Sequence, residues 1–149
     1  MNRLFGWSLL VGVCVGSLAL GDDSAKAKDD GKKMQGSWRP VAAELGGKPF
    51  PDEVLKTMKL VLTDGKYTVT VGEQTDEGTV KLNPAKEPRA MDIEGTKGPN
   101  QGKTIPAIYE LTDTTLRICY DLSGKARPKE FKTQADTQLF LVEYKRQKP

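Results

Sequence analysis

The sequence contains no histidine and only two cysteines, Cys14 and Cys119. Histidine is the side chain that most often acts as a general base near neutral pH, and it is the most frequent metal ligand. Its absence therefore excludes Ser-His and Cys-His catalytic arrangements, and the scarcity of thiols excludes cysteine-based metal sites. We expect no catalytic residues, no metal site and no cofactor, so we expect that the protein is not an enzyme.

Long apolar segments are also scarce, and the one that is present lies at the N-terminus. Arg3 provides a basic start before a charge-free apolar run over 4–20, and Ala19 and Gly21 are small residues at the positions that signal peptidase reads. This layout predicts a secretory signal peptide over 1–21, cleaved after Gly21. An uncleaved membrane anchor is the alternative, although the run is barely long enough to span a bilayer.

The chain also lacks a strong charge of one sign. Removal of the predicted signal peptide takes away Arg3 and lowers the formal net charge from +3 to +2, which gives no basis for binding nucleic acid or a membrane surface. Cys119 would then be the remaining thiol, so no disulfide within the chain would stabilise it. We expect an exported protein of the periplasm, cell envelope or extracellular space, without stable membrane insertion after signal cleavage.

The segment over 22–33 reads DDSAKAKDDGKK and contains no large apolar residue. Burial of so little apolar surface could not offset the entropy that is lost when a chain becomes ordered. The composition therefore predicts a flexible linker over 22–33, followed by one folded domain over 34–149.

Within the predicted domain, apolar and polar residues alternate with a period of two between clusters of turn residues. A short helix is predicted over 51–57, and helices long enough to connect parallel strands are missing, so the strands should pair antiparallel. Eight sequential strands with one apolar face each favour an all-β, up-and-down barrel with short helical segments near the N-terminus. A two-sheet sandwich is the alternative. The predicted strands cover 35–44, 58–63, 66–71, 78–82, 90–94, 105–111, 116–121 and 138–146.

Several short motifs resemble those of known exported domains. Gly36-Ser37-Trp38 resembles the G-x-W feature of lipocalins, and Arg146 stands where that superfamily has a basic residue packed over the tryptophan. The whole domain resembles a family of uncharacterised, exported, lipocalin-like domains that is abundant in planctomycete bacteria. This resemblance implies a barrel and export, and it offers no catalytic residues to carry over to this chain. Further matching segments are LRICYD at 116–121, RPKEF at 127–131 and KR at 145–146, whereas Met34 stands where leucine is usual.

Asp121, Arg127 and Glu130 form the most prominent set of polar candidates. Asp121 ends a predicted strand, and the other two lie in the loop that follows. Two carboxylates at the mouth of a barrel could perform acid–base chemistry. We favour a structural interpretation, in which Arg127 pairs with Asp121 or Glu130 and holds the loop in place.

Three tyrosines, Tyr67, Tyr109 and Tyr120, lie on strand faces that also carry aliphatic residues. They could line a binding site inside the barrel or could simply fill its core. Cys119 lies in a strand between apolar or aromatic neighbours, which predicts a buried and inert thiol because no base is available to activate it.

Two functions remain compatible with these features. The first is an exported, non-catalytic module that holds a small apolar or amphipathic molecule, with Tyr67, Tyr109 and Tyr120 as candidate contacts. The second is a structural or interaction domain of the cell envelope with a filled barrel. An eight-stranded barrel can be filled or can admit one small ligand. Short strands and bulky inward residues favour a filled interior or a shallow pocket, whereas the resemblance to a ligand-holding superfamily favours binding.

Overall fold

Strands make up most of residues 20–148, which are the part of the chain described by this computed structural model. The predicted signal peptide over 1–21 lies outside these residues except for its last two, which begin helix α1. Neither of the two helices described is long and apolar enough to cross a membrane. The elements are α1 (Leu20–Met34), β1 (Gly36–Leu45), β2 (Lys48–Pro49), α2 (Asp52–Leu55), β3 (Met58–Thr63), β4 (Lys66–Val71), β5 (Gln74–Asn83), β6 (Arg89–Lys97), β7 (Thr104–Leu111), β8 (Thr115–Asp121) and β9 (Leu139–Arg146).

Eight of these strands form one closed antiparallel barrel. From β3 to β9 each strand pairs with the next one along the chain, and β1 pairs with β3 on one side and with β9 on the other. The two-residue strand β2 pairs with the last residues of β1 and is not part of the closed ring. The predicted up-and-down barrel is confirmed, and the sandwich alternative is wrong.

The alternating sequence directs one face of each strand into the barrel. In β3, Met58, Leu60 and Leu62 are buried, whereas the intervening residues are partly exposed. Asp64 and Gly65 connect β3 to β4 and have positive φ angles of 50° and 75°. Positive φ at both central residues is what a type I′ hairpin turn requires. Asp-Gly is a strong sequence signal for such a hairpin, and the structure has one at this place.

Strands β5 and β6 are longer than the sequence predicts. β5 covers Gln74–Asn83 instead of 78–82, and β6 covers Arg89–Lys97 instead of 90–94. The residues over 74–77 are all polar, so a search for apolar alternation misses them. They nevertheless pair with β4 in regular register, which places Asp76 opposite Val69.

The two ends of the barrel differ. The end that we call the closed end carries the turn between β3 and β4, the connection between β5 and β6, and the turn over 112–114. Helix α1 packs there against β5. The opposite end, which we call the mouth, carries α2 and the loops over 72–73, 98–103 and 122–138.

Helix α1 occupies the segment that was predicted to be a flexible linker. Its residue Asp30 is buried, and the carboxylate accepts hydrogen bonds from the Tyr109 hydroxyl at 2.6 Å and from Arg89 Nη1 at 3.1 Å. Met34, at the end of the helix, is also buried. The linker prediction over 22–33 is wrong because a buried carboxylate, rather than an apolar face, attaches this helix to the barrel.

Candidate binding site at the mouth of the barrel

A cavity of about 290 Å³ extends from the mouth into the barrel. Aliphatic side chains such as Leu60, Met91 and Ile118 form its walls. Phe50 and Phe140 stand near the rim with ring centroids 5.4 Å apart. The volume lies at the lower end of the range for ligand pockets, about 300–1,000 Å³. The cavity is therefore suited to one small, mainly apolar molecule.

Glycine at position 78 lets Tyr67 lie against the barrel wall. Gly78 pairs with Tyr67 across β4 and β5. A Cβ atom at this position would lie 2.6 Å from the Tyr67 ring and 2.0 Å from the carbonyl oxygen of Glu94. Any larger residue would clash with both, because real carbon contacts are longer than these distances. The missing side chain thus provides space for the aromatic ring beside the cavity.

Asp76 is the acidic group among the described residues that line the cavity. Its Oδ2 atom accepts hydrogen bonds from the Tyr67 hydroxyl at 3.1 Å and from Asn100 Nδ2 at 2.8 Å. Its Oδ1 atom accepts a third bond from the backbone N–H of Asn100 at 3.2 Å. These bonds hold the loop over 98–103 against the edge of the mouth.

The loop over 98–103 comes close to β6 because Gly95 has no side chain. A Cβ atom at position 95 would lie 1.9 Å from the carbonyl oxygen of Asn100. The Gly95 N–H donates to the carbonyl of Lys103 at 3.0 Å, and Gly102 N–H donates to the carbonyl of Gly95 at 3.0 Å. This close approach brings Asn100 to Asp76.

Two further hydroxyls lie deeper in the cavity lining. The Tyr120 and Tyr144 oxygens are 3.3 Å apart, and either hydroxyl can donate to the other. Burial raises the pKa of Tyr120 well above its usual value and raises the pKa of Tyr144 to about 12. The pKa of Tyr67 is also raised, mainly by burial and secondly by the nearby Asp76 carboxylate. All three hydroxyls are therefore neutral near pH 7 and available as hydrogen-bonding groups.

The three tyrosines proposed from the sequence do not lie together. Tyr67 and Tyr120 line the cavity, but Tyr109 lies at the closed end, where its hydroxyl donates to Asp30. Tyr109 shares the inward face but is too far along its strand to reach the mouth. Sequence reasoning missed Tyr144, although it alternates with buried Val142 in β9. It also missed Asp76 and Asn100, because both lie in polar segments without alternating apolar residues.

The predicted contact between the first and last strands is present at the closed end. The Arg146 guanidinium carbon lies 4.2 Å from the centroid of the buried Trp38 ring. Arg146 also donates to the carbonyl oxygens of Gln35 at 2.7 Å, Asp113 at 3.0 Å, and Lys33. The Trp38 indole N–H donates to the Met34 carbonyl at 2.9 Å. The proposed structural roles of Trp38 and Arg146 agree with this geometry.

The predicted pairing of Arg127 with Asp121 or Glu130 is wrong. Arg127 Nη2 lies 2.6 Å from Asp92 Oδ1, and Nη1 donates to the backbone carbonyls of Met91 at 3.0 Å and Ala107 at 2.9 Å. Arg127 does hold the loop over 122–138, which we call the late loop, in place. It does so through contacts with the neighbouring strands β6 and β7. The partner in the ion pair comes 35 residues earlier in the chain, a separation that local sequence cannot reveal.

Asp121 and Glu130 also have separate surroundings. The Asp121 carboxylate is buried and accepts hydrogen bonds from the backbone and side chain of Ser123 and from the backbone N–H of Ala126. Glu130 is exposed. The structure therefore gives the two carboxylates different surroundings: loop donors hold Asp121, whereas Glu130 faces solvent.

Cys119 lies on the outer face of the barrel rather than in the cavity. It is buried, and its sulfur lies 3.6 Å from the carbonyl oxygen of Lys132 in the late loop. Burial raises the pKa of this thiol, which makes the reactive thiolate scarcer. Among residues 20–148, no group of three or more potential His, Cys, Asp or Glu ligands is arranged to hold a metal ion.

The chain is similar to a solved structure, the crystal structure of a DUF4847 family protein from Bacteroides vulgatus. The two chains are 16% identical, the match covers 78% of this chain and 95% of that chain, and the TM-score is 0.47. No protein-family profile matches the chain. No curated protein sequence matches it. The geometry of the cavity is therefore the basis for the function proposed below.

Proposed function

We propose that this protein is an exported, non-catalytic module that binds one small apolar or amphipathic molecule in the mouth of its barrel. The observation that carries the proposal is the cavity of about 290 Å³, which has apolar walls and a few neutral hydroxyl groups. An apolar ligand gains free energy in such a site, at roughly 25 cal/mol for each Å² of apolar surface removed from water. A binding module needs such a space, whereas a domain with a purely structural role does not.

The shape of the two ends supports entry from one side. Helix α1 and Arg146 cover the closed end, whereas apolar side chains remain partly exposed at the mouth, including Val71 with 39% of its surface accessible. Exposed apolar surface beside a concave site is typical of ligand-binding regions. A ligand would therefore enter at the mouth and place its apolar part towards Leu60 and Ile118.

We further propose kinship with the exported lipocalin-like domains that the sequence resembles. Support comes from the contact between Trp38 of the G-x-W segment and Arg146 near the end of the last strand. Export is supported by the basic start, apolar run and small residues over 1–21. The absence of histidine from the sequence and the raised pKa values of the cavity tyrosines support a non-catalytic role.

Binding is tested by displacement of an uncharged fluorescent apolar probe, together with native mass spectrometry of the purified protein. Val69 lines the cavity, whereas its neighbour Thr68 points to the opposite face of β4. We expect Val69→Trp to fill the cavity and weaken probe binding by at least about tenfold, which corresponds to about 1.4 kcal/mol.

Thr68→Trp is the matched control, because it adds the same indole to the outer face and should leave probe binding unchanged. Equal effects of the two substitutions would contradict binding inside the barrel. A wild-type protein that binds no probe and carries no small molecule would favour the alternative of a structural or interaction domain.

A further inference from the structure

The described lining of the cavity contains one charged side chain, the acidic Asp76. Among its lining residues in the described part of the chain, Asp76 is acidic and none is lysine or arginine. The other polar groups are amides and tyrosine hydroxyls. A charged ligand head inside the cavity would therefore meet one negative side chain and no positive one among the described lining residues.

The partners of Asp76 orient its carboxylate without neutralising it. The three hydrogen bonds come from neutral donors, the Tyr67 hydroxyl and the two N–H groups of Asn100. Among residues 20–148, no lysine or arginine nitrogen lies within 4.0 Å of the Asp76 carboxylate, since the ion pairs found there involve other carboxylates. The negative charge of Asp76 is thus held in place at a partly buried position, beside the apolar cavity.

Such an arrangement discriminates between ligand heads. An anionic head would lose hydration on entering the cavity and would be repelled by Asp76, with no lysine or arginine among the described lining residues to compensate it. A cationic head would lose hydration too, but it would gain the attraction of the partly buried Asp76 carboxylate. A neutral alcohol would fall between the two.

We infer that the cavity takes an amphipathic amine, with its hydrocarbon part among the apolar walls and its cationic head beside Asp76, and that it disfavours fatty-acid anions. The inference rests on the proposed function, since it names the class of ligand for the same cavity. In this inference, Asp76 determines which head group is preferred among ligands that have the same apolar part.

The test compares three ligands with one hydrocarbon chain and different heads: n-octylamine, n-octanol and octanoate. Each is titrated near pH 7 against wild-type protein that carries the uncharged apolar probe. We expect the amine, which is protonated at this pH, to bind about tenfold more tightly than octanoate, with octanol in between.

Asp76→Asn keeps the shape of the side chain and an acceptor oxygen but removes the charge, so the preference for amine over octanoate should be lost. Glu94→Gln is the matched control on the neighbouring strand. Glu94 pairs with Lys81 at 3.6 Å and points away from the cavity, so the preference should remain. Asp76→Glu retains the charge and should keep the order of the three ligands.

A salt series on wild-type protein supplies a measurement that needs no variant. Raising the salt concentration from about 0.05 M to about 0.5 M should shrink the advantage of the amine over octanol, because salt screens charge pairs that water can reach. This series decides the question if Asp76→Asn does not fold.

The outcomes separate the two proposals. Equal affinity for all three heads, or a preference for octanoate, would overturn the amine assignment and leave the binding function in place. A preference for amine that survives both Asp76→Asn and high salt would overturn the role of Asp76. Failure of all three ligands and of the probe would overturn the binding function itself.

Discussion

At the level of single residues, Asp121 shows how hydrogen bonds can outweigh burial. Burial by itself would raise the pKa of this carboxyl, but hydrogen bonds from the Ser123 side chain and from the backbone of Ala126 and Ser123 lower it. The residue is only 7% exposed. Asp121 therefore organises the first turn of the late loop as an ionised acceptor.

We expect Asp121→Ala to lower the free energy of unfolding by about 1 to 3 kcal/mol, because it leaves several loop donors without their acceptor. Glu130→Ala, in the same loop, should change it by less than about 0.5 kcal/mol because Glu130 is exposed. Urea denaturation of both variants and wild type measures the difference. Equal losses would contradict the separate roles that the structure gives these carboxylates.

The lowered pKa of Asp121 also predicts how stability depends on pH. A carboxyl whose pKa is lower in the folded state stabilises that state above its unfolded pKa, about 3.9. This contribution is lost as the pH falls through the lower, folded value. Asp121→Asn should therefore weaken the acid dependence of the unfolding free energy below about pH 4. An unchanged acid dependence in denaturation curves from pH 5 to pH 2 would refute it.

Among the elements, strands and tight turns were predictable but the polar attachments were not. The alternation of apolar and polar residues predicts the strands, and the Asp64-Gly65 pair predicts a hairpin, because both signals are local in the sequence. The extension of β5 over 74–77 carries no apolar signal, so the position of Asp76 inside the mouth was missed. Contacts such as Arg127 to Asp92 depend on strands that become neighbours only after folding.

Helix α1 illustrates the same limit for a helix. Its composition lacks an apolar stripe, yet Asp30 reaches Tyr109 and Arg89 at the closed end. The attachment combines this carboxylate and its two long-range partners with the buried Met34 side chain. Arg146 and Trp38 add hydrogen bonds to the carbonyls of the last two helix residues. Hydrophobic periodicity cannot detect such an attachment.

We expect Asp30→Ala to lower the free energy of unfolding by about 1 to 3 kcal/mol, since it leaves the Tyr109 hydroxyl without an acceptor and Arg89 without its partner. Asp29→Ala is the matched control one residue away. Asp29 pairs with Lys33 at 3.1 Å on the surface, with 61% of its side chain accessible, so its loss should cost less than about 0.5 kcal/mol.

Thermal or urea denaturation gives the two stabilities, and amide hydrogen exchange over α1 reports whether the helix detaches. Similar stability and exchange in both variants would show that the buried carboxylate does not attach the helix.

For the whole molecule, closure of the barrel depends on the meeting of its first and last strands. Trp38→Ala should lower the free energy of unfolding by about 3 to 5 kcal/mol, because it removes a fully buried indole from the closed end. Arg146→Ala should have a milder effect, which includes the stacking contact of about 0.5 to 2 kcal/mol. Chemical denaturation of both variants provides the measurement.

The double variant tests whether the two residues act together. Residues in contact are expected to give non-additive effects in a double-mutant cycle. Arg146→Lys is a useful control because it keeps the charge but cannot make the same set of hydrogen bonds to Gln35, Asp113 and Lys33. Strict additivity would show that the stacked contact does not contribute to closure.

Processing of the predicted signal peptide gives a further prediction for the whole chain. We expect protein recovered from outside the cytoplasm to begin at Asp22, since Ala19 and Gly21 form the small-residue site. Such cleavage would keep Asp30 and Met34 in the mature protein, so the contacts that attach α1 to the barrel would remain. N-terminal sequencing of the recovered protein decides the point. Full-length chain found only in the membrane fraction would instead support the anchor.

The closure of β1 against β9 also gives the molecule a direction. β1 starts and β9 finishes at the same end, the one covered by α1. The start of β1 and the end of β9 therefore both lie on the side away from the mouth. If either terminus were attached to a surface or to another domain, the barrel would stand with its opening turned outward, and a ligand could approach without passing the attachment.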